Sequence, residues 1–259
     1  MQDLKIALIQ ADLVWEDPEA NLHRFREKID RVPAGVHLIV LPEMFSTGFS
    51  MSPARLAHQV DGQTVGWMKD RSRETGAHLT GSLIIEEKGH FYNRLFWVTP
   101  DGGEYRYDKK HLFRYAGEEK VYSPGDGHLL VRCHGWKIRP FICYDLRFPI
   151  WTRNLNNAYD AAIFVANWPR RRASHWKTLL KARAIENQCY VAGVNRVGVD
   201  GNGYTYSGDT CIIDPTGRLV AGMSHKEAMV ADIFSAEALN GCRKNFPAWM
   251  DADDHMVIR

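Results

Sequence analysis

The chain has 259 residues, 45% of them hydrophobic and 25% charged, which is the balance of an ordinary globular protein. Its 33 basic and 31 acidic side chains leave a formal charge of +2, too weak a field to draw it to nucleic acid or to an anionic membrane. The N-terminal MQDLKIALIQ carries Asp3 and Lys5 where a signal peptide needs an apolar core, and runs such as AAIFVA (161–166) are too short to cross a bilayer.

LKIALIQ (4–10) predicts a strand. Asp17 as N-cap and Pro18 at the first helical position then open a helix, along which Leu22, Phe25, Ile29 and Val32 recur on one face. HLIVL (37–41) is the next strand, and a second helix is expected from about Thr64 to Thr75. AHLTGSLII (77–85) and FYNRLFWV (91–98) follow as strands, and Pro100-Asp101-Gly102-Gly103 turns the chain into EYRYDKKHLF, so these segments read as hairpin neighbours. WKIRPFIC (136–143) is a further strand, a short helix is expected near 150–158, and DAAIFVAN (160–167) is again a strand. A helix with Ser174 as N-cap carries Trp176, Leu179, Leu180 and Ala184 on one side. CYVAGVNR, TCIIDP, RLVAGM and AMVADIF complete the strands, and a last short helix begins near Ser235. Helices alternate with strands at both ends while hairpins fill the middle, a pattern that predicts a mixed-sheet α/β fold with helices outside. No linker, repeat or low-complexity tract marks a boundary, so one domain over 1–259 is expected. The five cysteines form no CxxC pair, which argues against a disulfide framework and a zinc site and fits a reducing cytoplasm.

Three polar groups stand at the ends of predicted strands. Glu43 follows HLIVL, Lys109 and Lys110 close EYRYDKK, and Cys143 sits in FICYDLRFP (141–149) between an apolar run and a charged turn. Strand ends are where α/β sheets display reactive groups. A thiol with an ordinary pKa of about 8.5 needs a base to become a nucleophile. A carboxylate can take its proton and later return it to a leaving amine. An ammonium and the backbone N–H after the nucleophile, that of Tyr144, can hold the oxyanion. Taken singly, Glu43 is equally a turn cap, Lys109 a surface lysine and Cys143 core filler, and spacing alone does not separate these readings.

LPEMFSTGF, YDKKHLF and ICYDLRFP occur in this order and together resemble the Glu, Lys and Cys motifs of the nitrilase superfamily of carbon–nitrogen hydrolases. The resemblance implies a four-layer αββα sandwich, a cysteine thioester intermediate, no metal or organic cofactor, and a homodimer. It assigns Glu43 as general base, Cys143 as nucleophile and Lys109, two places before the histidine of His-Leu-Phe, as the oxyanion lysine. It also implies a supporting glutamate in the segment before SPG, where spacing favours Glu118 over Glu119. His111 and His175 then read as structural hydrogen-bonding groups.

The stretch ANWPRRRASHWKTLLKARAIENQCYVAGVNRVGVDGNGYTYSGDT is similar to the omega-amidase branch, whose substrates, 2-oxoglutaramate and 2-oxosuccinamate, carry an amide at one end and a 2-oxo acid carboxylate at the other. A guanidinium fork suits that carboxylate; Arg172 is the first candidate and Arg147 the second. Trp168, Phe45 and Met44 are candidate pocket walls, with core packing the equal alternative. Another carboxamide or carbamoyl amidase, a true nitrilase and an idle metabolite-binding protein are the competing expectations; the expected partner is a small amide, with no nucleic acid and no membrane.

Overall fold

Long apolar runs without polar alternation are the mark of strands covered on both faces. The computed structural model, which describes residues 1–253, arranges them in two seven-stranded sheets. The first contains β1 (Leu4–Gln10), β2 (Leu38–Val40), β3 (His58–Gln59), β4 (His78–Glu87), β5 (His90–Val98), β6 (Glu104–Asp108) and β14 (Ala228–Phe234). The second contains β7 (Val131–Cys133), β8 (Trp136–Ile142), β9 (Ala161–Ala166), β10 (Tyr190–Asn195), β11 (Val197–Val199), β12 (Thr205–Ile213) and β13 (Leu219–Ser224). The helices are α1 (Pro18–Ile29), α2 (Pro53–Leu56), α3 (Gln63–Thr75), α4 (Ala173–Asn187) and α5 (Ala236–Asn245). None is long and apolar enough to cross a membrane among the described residues.

The order of the first sheet is β14-β1-β2-β4-β5-β6, and that of the second is β11-β12-β10-β9-β8-β7. Each has a parallel centre, β1 with β2 and β4 in one and β8 with β9 and β10 in the other. Antiparallel strands flank both, including the expected hairpins of β4, β5 and β6.

Three apolar layers separate four layers of structure. Ile6, Leu8 and Val40 of one sheet meet Ile142, Ile163 and Val194 of the other in a core between the sheets. The outer face of the first sheet packs Ile39 and Leu79 on Phe25 and Ile29 of α1 and on Val65 and Met68 of α3. The outer face of the second packs Phe164 and Val191 on Trp176, Leu180 and Ala184 of α4. The architecture is therefore an αββα sandwich.

Local expectations held where side chains carry their own signal. Asp17 caps α1 by accepting from the Ala20 N–H at 3.0 Å, and Ser235 caps α5 in the same way at 3.2 Å. Two differ. The helix expected near 150–158 is only a 3-10 turn at Leu155–Asn157. Asn156 and Asn157 there take left-handed φ values of +52° and +49°, which asparagine tolerates and a continuing helix does not. The helix expected to start from Ser174 instead begins at Ala173, fed by a 3-10 turn over Arg170–Arg172 that puts Arg172 at the N-cap.

The parallel centres aim the chain at one place. Glu43 follows β2, Cys143 follows β8 and Asn167 follows β9, all at carboxyl ends of parallel strands, where α/β sheets gather ligands.

Candidate active site

Glu43 is fully buried and its carboxylate is held from two sides. Oε1 accepts from Lys109 Nζ at 2.9 Å and from Asn93 Nδ2 at 2.8 Å, while Oε2 accepts from the Asn167 backbone N–H at 2.8 Å. Lys109, just beyond β6, is 1% exposed and lies between two carboxylates, since it also donates to both oxygens of Glu118 at 3.0 Å. Glu118 takes a further bond from the Phe113 N–H at 2.5 Å. The tandem lysines part just beyond β6: Lys110 turns away, with Nζ 5.2 Å from the Trp151 ring. The structure likewise brings Glu118 to Lys109 and leaves Glu119 only partly buried.

Cys143 opens a 3-10 helix over Cys143–Arg147 with φ at +43°. A left-handed non-glycine residue costs of order 1–3 kcal/mol and persists where its surroundings over-determine it. This bend presents the thiol at the head of β8, and the Tyr144 N–H follows in the first turn, where amides lack partners within the helix. Met44, directly after Glu43, is bent in the same sense at φ +43°.

Burial pushes the Cys143 thiol well up, the Glu43 charge pushes it further, and the Lys109 ammonium pulls it back. Burial alone would lower the Lys109 pKa, but the charges of Glu118 and Glu43 outweigh it and hold the ammonium above its ordinary range. Glu118 is raised, first by burial, with Lys109 opposing and Glu43 adding. The thiol therefore rests neutral beside a fixed cation, an arrangement suited to proton transfer during attack rather than to a standing thiolate.

A carbon-nitrogen hydrolase family model matches residues 5–238. The chain belongs to that family. The carbon-nitrogen hydrolase is 46% identical over 255 residues to Omega-amidase YafV of Escherichia coli (strain K12), covering 98% of each chain. It is 31% identical over 252 residues to the 2-oxoglutaramate amidase of Bacillus subtilis (strain 168), covering 95% of this chain and 96% of that one. Among solved structures, XC1258 from Xanthomonas campestris, a CN-hydrolase superfamily protein with an arsenic adduct in its active site, superposes with a TM-score of 0.97 at 42% identity, covering 99% and 100% of the two chains.

Above Cys143 this carbon-nitrogen hydrolase opens a cleft of about 250 Å³ that reaches Lys109, Arg147, Arg171, Arg172 and Trp168. Arg147 stacks 4.7 Å over Trp168, Arg172 lies 5.2 Å over Phe113, and Arg171 sits between Tyr115 and Tyr204 at 5.4 and 4.9 Å. Burial lowers the Arg172 pKa, and repulsion from Arg171 and Arg147 lowers it further. None of the three forms an ion pair among the described residues. The one acidic residue on the lining, Asp200, is engaged by the Tyr206 hydroxyl at 2.7 Å and by the Asn202 and Tyr204 N–H groups.

Met44 and Phe45 are not pocket walls. Met44 is fully buried among Leu56, Ile84 and Tyr122. Phe45 packs edge-on against Phe25 of α1 at 5.5 Å, in the layer beneath the first sheet. The walls from that segment are Phe49 and Met51, and the Phe49 ring lies 5.0 Å from Lys109 Nζ. Sequence reasoning also missed Arg171, which shares the RRR run with Arg172, and the Asp200, Tyr204 and Tyr206 wall. Asn93 and Asn167 escaped it too; both hold Glu43, Asn93 from within β5 and Asn167 from just beyond β9, and only the amide at the end of AAIFVAN offered a signal. His111 bonds Asp145 and His175 meets Arg147 at 3.1 Å, so neither stands as a base beside the thiol. No cluster of three or more His, Cys, Asp or Glu suited to a metal occurs among the described residues.

Proposed function

We propose that this enzyme is an omega-amidase that hydrolyses the terminal amide of 2-oxoglutaramate or 2-oxosuccinamate to the 2-oxo dicarboxylate and ammonia. The observation that carries the reading is a thiol, a base and an ammonium at the floor of a cleft lined by three guanidiniums without a carboxylate partner. A substrate with an amide at one end and a carboxylate at the other satisfies both. Its likeness to the two amidases above supports the same assignment.

Glu43 takes the Cys143 proton as sulfur attacks the amide carbon, and the oxyanion forms against Lys109 Nζ and the Tyr144 N–H. Collapse expels ammonia with the proton returned by Glu43, leaving a thioester. Water, deprotonated by Glu43, attacks that carbonyl; the second collapse releases the carboxylate and restores the thiol. Glu118 shares the charge of Lys109 and keeps its Nζ in place. Arg172, with Arg147 behind it, holds the 2-oxo acid carboxylate, and Trp168 walls the chain between the two ends. The reaction needs no cofactor, and the proposal includes a homodimer acting in the cytoplasm.

The test is a comparison of Arg172→Ala with wild type on 2-oxoglutaramate and on a neutral short-chain amide. Loss of a charged hydrogen bond worth roughly 1.5–3 kcal/mol predicts a rise of about 10- to 100-fold in KM for the charged amide and little change for the neutral one. Equal effects on both amides, or faster turnover of a carbamoyl amino acid, would overturn the substrate assignment.

A further inference from the structure

We propose that Asp145 is a positioning residue that locks the oxyanion lysine and the nucleophile into one frame, an inference that rests on the Glu43, Lys109 and Cys143 reading. Asp145 is fully buried two residues beyond Cys143, and its one ion-pair partner among the described residues is His111. Both of its oxygens are occupied. Oδ1 accepts from the His111 backbone N–H at 3.0 Å and bonds the His111 ring Nδ1 at 2.8 Å. Oδ2 accepts from the Tyr107 hydroxyl at 2.7 Å and from the Ile142 N–H at 3.1 Å.

The donors come from places that matter. Tyr107 lies two residues before Lys109 and His111 two residues after it, while Ile142 directly precedes Cys143. One carboxylate thus grips both flanks of the lysine and the entry to the left-handed cysteine. Aromatic contacts tie the same segments a second time, with His111 stacked on Phe148 at 3.8 Å. Trp151 Nε1 also donates to the Tyr107 hydroxyl at 3.0 Å. A carboxylate this deep is retained only if its hydrogen bonds are complete, and here they are spent on holding two catalytic segments from different sheets.

The consequence is kinetic. An amide at this position must aim a donor either at the His111 N–H or at the Ile142 N–H, whichever way it is turned, so one segment is released. Misplacement by about 1 Å costs on the order of 100-fold in rate, and it falls on the chemical step rather than on the carboxylate end of the substrate.

The experiment measures kcat and KM on 2-oxoglutaramate per mole of folded enzyme for wild type, Cys143→Ala, Asp145→Asn, Tyr107→Phe and the Asp145→Asn/Tyr107→Phe pair. Asp145→Asn is expected to lower kcat by about 10- to 100-fold with KM within about threefold. Tyr107→Phe is expected to lower kcat by a smaller factor, and the pair to lose no more than Asp145→Asn alone, because the hydroxyl acts through the carboxylate. A wild-type kcat in Asp145→Asn, or losses that multiply in the pair, would overturn the positioning role. If Asp145→Asn does not fold, Tyr107→Phe decides: a lowered kcat at constant KM supports the role and an unchanged kcat overturns it. Turnover by Cys143→Ala would instead remove the reading beneath it.

Discussion

Replacing Glu43 by glutamine separates the two things its carboxylate does to the thiol. As a base it removes the Cys143 proton during attack; as a fixed charge it holds that proton on. General acid–base catalysis is worth about 10²- to 10⁴-fold, or roughly 3–5 kcal/mol of barrier, so Glu43→Gln should lower ammonia release by at least about 100-fold. The same substitution removes the second largest influence raising the thiol pKa, after burial, and leaves Lys109, still paired to Glu118, to pull it down. The sign is therefore opposite for the two readouts. Turnover falls, while the midpoint of the pH dependence of Cys143 alkylation by iodoacetamide moves to lower pH. Donors face both Glu43 oxygens, so the new amide meets one of them in either orientation, at a stability cost of about 1–3 kcal/mol. Turnover within tenfold of wild type, or an alkylation midpoint that stays put or rises, would refute the reasoning.

Lys109→Met leaves Glu43 and Glu118 fully buried without their cation; a loss of about 3–5 kcal/mol in urea unfolding is expected along with lost turnover, and a variant as stable as wild type would contradict it. One equivalent of iodoacetamide is expected at Cys143, which lines the cleft, before Cys133, Cys189 and Cys211, which are buried; peptide mapping that finds the label at Cys189 or Cys211 first would count against it. Partial desolvation of the His128 ring, which is solvent-exposed on one side and stacked on Trp151 on the other, together with the Arg139 charge, lowers its pKa to about 4, so between pH 4 and its ordinary 6.5 the unfolded chain binds more protons and stability rises with pH. His128→Asn should flatten part of that rise in Tm, the remainder belonging to His37, His58 and His78, which burial lowers too; an unchanged slope would exclude His128 as a contributor.

The sequence made the strand ends legible, and with them Glu43, Lys109 and Cys143, because an isolated polar group after an apolar run is a local signal. It did not make legible which way the following residues turn. Met44 and Phe45 looked like pocket walls by adjacency, yet the left-handed backbone at Met44 sends both into the core and hands the wall to Phe49 and Met51. The outer wall is a second kind of omission. Asp200, Tyr204 and Tyr206 reach the cleft from the β11–β12 hairpin, more than 50 residues beyond Cys143, and periodicity carries no information about such a meeting. Periodicity showed an alternation of helix and strand, and the four layers came only with the family resemblance; what stacks them is the burial of β2, β9 and β10, and of β1 but for Lys5, on both faces.

The most direct measurement is ammonia release from 2-oxoglutaramate by wild type and Cys143→Ala side by side, with glutamine as the control amide. Fast release by wild type, none by the variant and little from glutamine is the predicted result. Release by Cys143→Ala, or no release by a folded wild type, would contradict the account.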